Sequence, residues 1–188
     1  EAAARSDTDN PPLTDEELEI KNHLDRWITS KMTQDPDSPW HGVVGGGSSK
    51  GAKTQNLARL VNFVTLQTGV SKILMKSQYI RDFTNPDVQY AVVKNYWKAV
   101  KYVFATEWAS PKEYLLLKNI GVLSLSLLGG TIIDRCLAKG KSSVEDMTFY
   151  LRQAKGTFDW SSKLNPGEGT VVGMSGNKAA DIVAGAMA

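Results

Sequence analysis

The sequence predicts an all-α protein, a compact bundle of about six to seven helices with one Gly-rich loop. Apolar residues recur at steps of three and four, several segments open with a helix-capping pattern, and strand-like alternation is nearly absent. The 188 residues, 41% of them hydrophobic, suffice for one domain with a core.

The first half is predicted to hold two helices and a shorter helical stretch. Thr14 and Glu17 form a capping box that opens a helix running to Met32. Residues 34–52 contain two prolines and a glycine run and cannot be helical. A second helix is predicted over residues 57–64 and is expected to stop near Gly69, with the shorter stretch over residues 73–79.

The second half is predicted to contain four further helices. Asn85-Pro86 opens a long amphipathic helix, and Ser110-Pro111 with Glu113 opens the most hydrophobic segment, residues 114–137, which Gly140 closes. Ser143 with Asp146 caps a helix that reaches about Ala154, and a last small helix is predicted over residues 177–187.

The apolar segment is interpreted as a buried central helix. Lys118 and Asp134 bracket too few residues for a membrane span, and Asn119, Ser124 and Ser126 interrupt them. Gly121, Gly129 and Gly130 would mark close helix contacts or a break. No membrane partner is predicted, and we expect a cytoplasmic protein.

The composition excludes several classes of site. One cysteine, Cys136, excludes a disulfide framework, and one cysteine with two histidines cannot make a four-ligand structural zinc site. Cys136 is expected to be a core thiol, His23 a surface or interface residue, and His41, in a rigid turn, the better functional candidate. No catalytic residue and no metal site are assigned, and this chain alone favours a binding role over an enzyme.

The net charge of +2 hides an uneven distribution. Residues 1–20 carry seven acids and one base, whereas residues 21–188 hold 21 bases and 13 acids. We interpret residues 1–13 as an acidic linker or a disordered end, and residues 14–188 as a single helical domain, the later part of a longer protein. A disordered native N-terminus is the open alternative.

The Gly-rich loop has a partial phosphate-binding pattern. Residues 47–54 differ from G-x-x-x-x-G-K-[ST] only in Ala52, so Gly47, Lys53 and Thr54 are the nucleotide-binding candidates, with ATP and Mg²⁺ as ligands and Asp134 as a carboxylate for the cation. No convincing strand precedes the loop and no parallel sheet is predicted. A solvated loop is therefore the favoured interpretation, and no cofactor is assigned.

The basic body favours nucleic acid as a partner. Eleven bases and four acids lie between Lys50 and Lys118, and clustered positive charge favours contact with phosphates. On the Pro86 helix three lysines share one face at steps of four and three. The predicted phosphate contacts are Lys50, Lys53, Lys72, Lys76, Lys94, Lys98 and Lys101.

Four short segments, in this order, resemble the C-terminal helical half of DGQHR-domain proteins, the group that includes DndB. They are DPDSPW at residues 35–40, NYWKAV at residues 95–100, YLLLKNIGV at residues 114–122 and FDW at residues 158–160. The similarity covers about residues 20–188.

The resemblance implies a bacterial or archaeal protein that accompanies DNA-modification or anti-phage systems. It implies DNA binding, regulation of phosphorothioation genes and a ParB-like N-terminal half, and some relatives are thought to use ATP. The Asp-Gly-Gln-His-Arg motif that names the family is absent, so its chemistry cannot be placed on this chain. Other proteins of the modification system are alternative partners, and a supporting role, including homo-oligomerisation, also stays open.

Overall fold

A computed structural model describes residues 14–45, 60–156 and 159–161. These residues form eight helices and one two-stranded sheet, so the helical class is confirmed. The Gly-rich loop, residues 1–13 and the helix predicted over residues 177–187 lie outside the described residues. The elements are α1 Asp15–Asn22, α2 Leu24–Gln34, β1 Val44–Gly45, β2 Val61–Asn62, α3 Phe63–Lys76, α4 Gln78–Arg81, α5 Pro86–Val103, α6 Ala105–Ala109, α7 Asn119–Leu137 and α8 Val144–Ala154.

The first predicted helix is two helices. The capping box of Thr14 and Glu17 is present, but His23, at φ −127° and ψ 38°, separates α1 from α2. Helix α1 has no buried residue, whereas α2 buries Ile28 and Met32 completely. Only α2 is therefore anchored in the core, and α1 is an exposed acidic helix.

The helix predicted over residues 57–69 was placed wrongly. Val44 and Gly45 pair in parallel with Val61 and Asn62, so a short strand does precede the Gly-rich loop and a parallel pair is present, contrary to the prediction. The Asn62 side chain then accepts a hydrogen bond from the backbone N–H of Val64, at 2.9 Å, and caps α3. The pairing explains why β-branched Val61 is extended rather than helical.

Gly69 lies inside α3 and does not end it. A Cβ at this position would lie 2.5 Å from Ser126 Oγ of α7, so the glycine permits a close approach of the two helices. The helices run side by side in the same direction, because Thr65 Oγ1 bonds Asn119 Oδ1 near their beginnings and Lys76 contacts Gly130 nearer their ends.

Helix α7 begins five residues later than predicted. The backbone N–H of Leu115 donates to the Trp160 carbonyl at 2.7 Å, and residues 110–118 form turns. Twelve residues of α7 are buried, as expected for a central helix. Gly129 faces Tyr96 of α5 and Gly130 faces Lys76 of α3, which confirms the predicted close helix contacts at these two positions, whereas Gly121 faces the carbonyls of Leu115 and Leu116 in the preceding turn.

In the described part of the chain, α7 is the one helix long and apolar enough to cross a membrane by length and composition. In the fold, 67% of its most apolar stretch is buried against other elements. This burial supports the interpretation of a core helix.

The start of α5 and both ends of α8 are confirmed. Asn85 accepts from the Asp87 N–H with Pro86 at the first turn, and Ser143 and Asp146 form a capping box. The Asn95 side chain bonds the Ser142 carbonyl, and Lys155 Nζ bonds the Val103 carbonyl. The two helices therefore also lie side by side in the same direction.

Candidate functional site

Helix α5 carries three of the predicted lysines. Its inner side is fully buried through Val93, Tyr96, Trp97 and Val100. Lys94, Lys98 and Lys101 follow at steps of four and three and form one stripe along the flank of the buried side, with Lys94 and Lys98 part-buried and Lys101 exposed. We call these three residues the lysine stripe.

A loop that follows α2 binds two members of the stripe. Lys94 Nζ lies 2.9 Å from Asp35 Oδ2 and 3.1 Å from Asp37 Oδ2. Lys98 Nζ lies 2.6 Å from each carboxylate oxygen of Asp37. The ammonium groups of Lys94 and Lys98 therefore already hold carboxylate oxygens in the isolated chain.

Aromatic packing fixes this loop against α5. Trp40 is fully buried, with its ring centroid 4.8 Å from that of Trp97 and 5.0 Å from that of Trp108. Asp35 also accepts a hydrogen bond from the Asp37 N–H, at 2.9 Å, and one from the Tyr90 hydroxyl. The two carboxylates are thus presented by a rigid turn.

The charges of this cluster stabilise one another. Hydrogen bonds from Tyr90 and Lys94 hold the pKa of Asp35 far below its usual range, and the Lys98 hydrogen bond lowers the pKa of Asp37. Burial and the bond to Asp35 raise the pKa of Tyr90, and the bond to Asp35 raises the pKa of Lys94. At neutral pH the cluster holds two carboxylates and two ammonium groups.

Lys101 is the open member of the stripe. Among residues 14–45, 60–156 and 159–161 no carboxylate lies within 4.0 Å of its ammonium group, which stands 5.9 Å from the Trp108 ring centroid. An exposed ammonium group held over an indole ring remains available to an anion.

Lys72 and Lys76 lie on a separate surface. The Lys76 stem packs against Gly130, whereas the ring of Tyr96 packs against neighbouring Gly129. Lys76 and Tyr96 therefore contact different sides of α7, and the lysine stripe of α5 faces away from Tyr96. Neither lysine has a carboxylate within 4.0 Å in the part of the chain that the structure describes.

The nucleotide-binding prediction falls mainly on residues that the structure does not describe. Gly47, Lys50, Lys53 and Thr54 lie outside the described residues, and those assignments stay predictions. The carboxylate of Asp134, proposed from the sequence as a cation ligand, accepts from the Ser77 hydroxyl and from two backbone N–H groups at the start of α4. Asp134 therefore caps this helix.

The remaining candidates from the sequence are His41, His23 and Cys136. His41 Nδ1 lies 3.2 Å from the Thr33 carbonyl, and His23 lines a groove between α1 and α2. Cys136 is buried, and burial raises the pKa of its thiol. No group of three or more potential metal ligands is found among the described residues.

Sequence reasoning missed an aromatic row beside the stripe. Tyr102, on α5, is 63% exposed and Phe149, on α8, is 62% exposed, and Tyr150 packs edge-on against Phe149 with centroids 5.3 Å apart. Tyr102 lies one helical turn beyond Lys98, so the spacing could have placed it on the same face. The pairing of α5 with α8 that brings Phe149 beside it is not visible in the sequence.

Comparison of the chain with protein-family models, curated proteins and solved structures finds no match. The functional interpretation therefore depends on the residues themselves.

Proposed function

We propose that this chain is the helical domain of a DGQHR-type, DndB-like protein that accompanies a DNA-modification or phage-defence system. We propose further that it binds DNA phosphates through the lysine stripe of α5. The observation that carries the binding proposal is the row of three lysines, two of which hold carboxylate oxygens at 2.6–3.1 Å.

Phosphate oxygens are acceptors of the same kind as these carboxylate oxygens. Charge-assisted hydrogen bonds from an ammonium group to either have lengths near 2.7–2.9 Å. Lys98 is therefore held in a geometry that suits an anionic oxygen, and Lys101, one turn further along α5, can receive a phosphate without displacing a protein group.

The segments that resemble the family support the rigidity of this face. Two of them meet here, since the Asp35 and Asp37 carboxylates contact Lys94 and Lys98 and the Trp40 ring packs against Trp97. A fixed loop on a fixed helix keeps the cations in place. Lys50 and Lys53 remain further candidates for phosphate contact on the basis of charge.

Salt-dependent binding of duplex DNA tests the proposal. The logarithm of the association constant should fall with the logarithm of the salt concentration, and each phosphate contact should contribute about 0.9 to that slope. Lys101→Gln should weaken binding and reduce the slope by about 0.9, whereas Lys21→Gln on exposed α1 should change neither.

Two outcomes would reject the proposal. Absence of salt-dependent binding by the wild-type chain would remove duplex DNA as the partner. Binding with an unchanged slope in Lys101→Gln would remove the stripe as the contact surface, and the Lys72→Gln/Lys76→Gln variant would then show whether the α3 surface binds instead.

A further inference from the structure

Helices α5 and α8, which lie side by side, each expose one large aromatic side chain. Tyr102 and Phe149 are 63% and 62% exposed, although both helices have buried faces where aromatic rings could pack. The guanidinium carbon of Arg152 lies 5.7 Å from the centroid of Tyr102, and Arg152 follows Phe149 by three residues on α8. Residues at that spacing are neighbours on a helix surface, so Arg152 neighbours Phe149 on α8 and also reaches the Tyr102 ring on α5.

Cations lie beside the rings of this row. The Tyr150 hydroxyl, next to Phe149, accepts a hydrogen bond from Lys139 Nζ at 2.9 Å, and the same nitrogen stands 5.6 Å from the Tyr150 ring centroid. At the opposite end Lys101 precedes Tyr102 on α5. Proteins that bind single strands combine exposed rings, on which unpaired bases stack, with cations that contact the phosphates.

Charge favours a polyanion over a protein partner on this row. Arg152, Lys101 and Lys139 have no carboxylate within 4.0 Å among the described residues. The acids nearest in sequence before Phe149 are Asp146 and Glu145, three and four residues earlier in the first turn of α8, and Asp146 pairs with Lys141. A protein-binding apolar patch would not need a cation beside each ring. The carboxylate of Glu145, in the first turn of α8, would repel a phosphate at that end of the row.

We infer that the aromatic row Tyr102, Phe149 and Tyr150 binds single-stranded DNA, with bases stacked on the exposed rings and phosphates held by Lys101, Arg152 and Lys139. The inference depends on the proposed function and specifies its ligand as DNA with unpaired bases. The duplex cannot use the rings, because its bases are already stacked and paired. Single strands should therefore bind more tightly than duplex of equal length.

Matched oligonucleotides separate stacking from charge. Fluorescence anisotropy would compare a labelled single strand, the corresponding duplex and a single strand of the same length made of abasic nucleotides, which keeps the phosphates and lacks the bases. The base-bearing strand should bind best, and Tyr102→Ala or Phe149→Ala should each weaken it by about 5- to 100-fold, the range found for loss of one stacked base.

The controls use the same chain. Tyr102→Phe should retain binding because it keeps the ring, and Tyr79→Ala removes a tyrosine on α4 that is 46% exposed and should have no effect. Glu145→Gln should strengthen binding. Far-ultraviolet circular dichroism would establish that each variant is folded.

The two proposals fail differently. Equal binding of base-bearing and abasic strands, or unchanged binding in both alanine variants, would overturn the stacking row and leave phosphate binding intact. If the wild-type chain bound none of the three oligonucleotides, both the proposed DNA-binding function and the proposed stacking row would be wrong.

Discussion

The ammonium nitrogen of Lys98 lies 2.6 Å from both carboxylate oxygens of Asp37, across 61 positions of the chain. The Asp37 side chain remains 63% exposed, so the pair is accessible to solvent and to competing anions. Asp37 therefore competes with any bound phosphate for the ammonium group of Lys98.

Asp37→Asn should strengthen DNA binding. The substitution leaves Lys98 without its carboxylate, and an exposed ion pair of this kind is weak, so a phosphate gains only a little when it no longer has to displace Asp37. We expect a gain in affinity of about one and a half- to fivefold and a steeper dependence on salt, measured by anisotropy titration. The matched control is Asp87→Asn, which removes a different exposed carboxylate, the partner of Lys31. Weaker binding in Asp37→Asn than in the control would contradict the competition.

Asp35 should stabilise the fold in a pH-dependent way. Its folded-state pKa is depressed by the hydrogen bonds from Tyr90 and Lys94, so its contribution is present above the unfolded pKa of about 3.9 and is lost as pH falls towards the folded pKa. Asp35→Asn should lower the free energy of unfolding at pH 7 by about 1–3 kcal/mol.

Urea titrations at several pH values would measure this difference between wild type and Asp35→Asn. The difference should shrink steadily below about pH 4. Asp82→Asn, at an exposed acid directly after α4, provides the charge-matched comparison. A difference that stays constant down to pH 2 would show that the Asp35 carboxylate is not the stabilising group.

Several helix starts were predictable because the capping residues that open a helix in the sequence also do so in the folded protein. The capping boxes at Thr14 and Ser143 and the Asn85-Pro86 start open helices as the sequence predicts. Gly69 is an exception. Glycine often ends a helix, but here it lies inside α3 and allows α7 to approach closely. Spacing alone does not distinguish these two uses of glycine.

The candidate site was predictable only in part. Helical spacing placed Lys94, Lys98 and Lys101 on one face, but the carboxylates of Asp35 and Asp37 reach them through a tertiary contact that no periodicity encodes. The same spacing could not show that Lys76 and Tyr96 contact different sides of α7.

Asp134 should act as a tertiary cap of α4, together with Ser77. Its carboxylate accepts from the Ser77 hydroxyl and the N–H groups of Gln78 and Tyr79. Asp134→Ala should lower the free energy of unfolding by about 0.5–2 kcal/mol, as loss of an N-cap does. In a double-mutant cycle with Ser77→Ala, chemical denaturation should give a coupling of at least about 0.5 kcal/mol. Additive losses would show that the two side chains act independently.

Gly129 should be required for the packing of Tyr96 against α7. A Cβ at Gly129 would lie 2.6 Å from the Tyr96 ring, which is fully buried and whose hydroxyl donates to the Leu125 carbonyl. Alanine favours a helix over glycine by about 1 kcal/mol, yet overpacking a fixed ring costs about 1–3 kcal/mol. Gly129→Ala should therefore destabilise the protein or leave its stability unchanged.

A double-mutant cycle isolates the contact. In a Tyr96→Leu background the ring is absent, so Gly129→Ala should become less costly than in the wild-type background or even stabilising. Gly130→Ala, whose Cβ would meet Lys76 instead, should cost the same in both backgrounds. If urea denaturation gave equal costs for Gly129→Ala with and without the ring, Tyr96 would not be what requires glycine at this position.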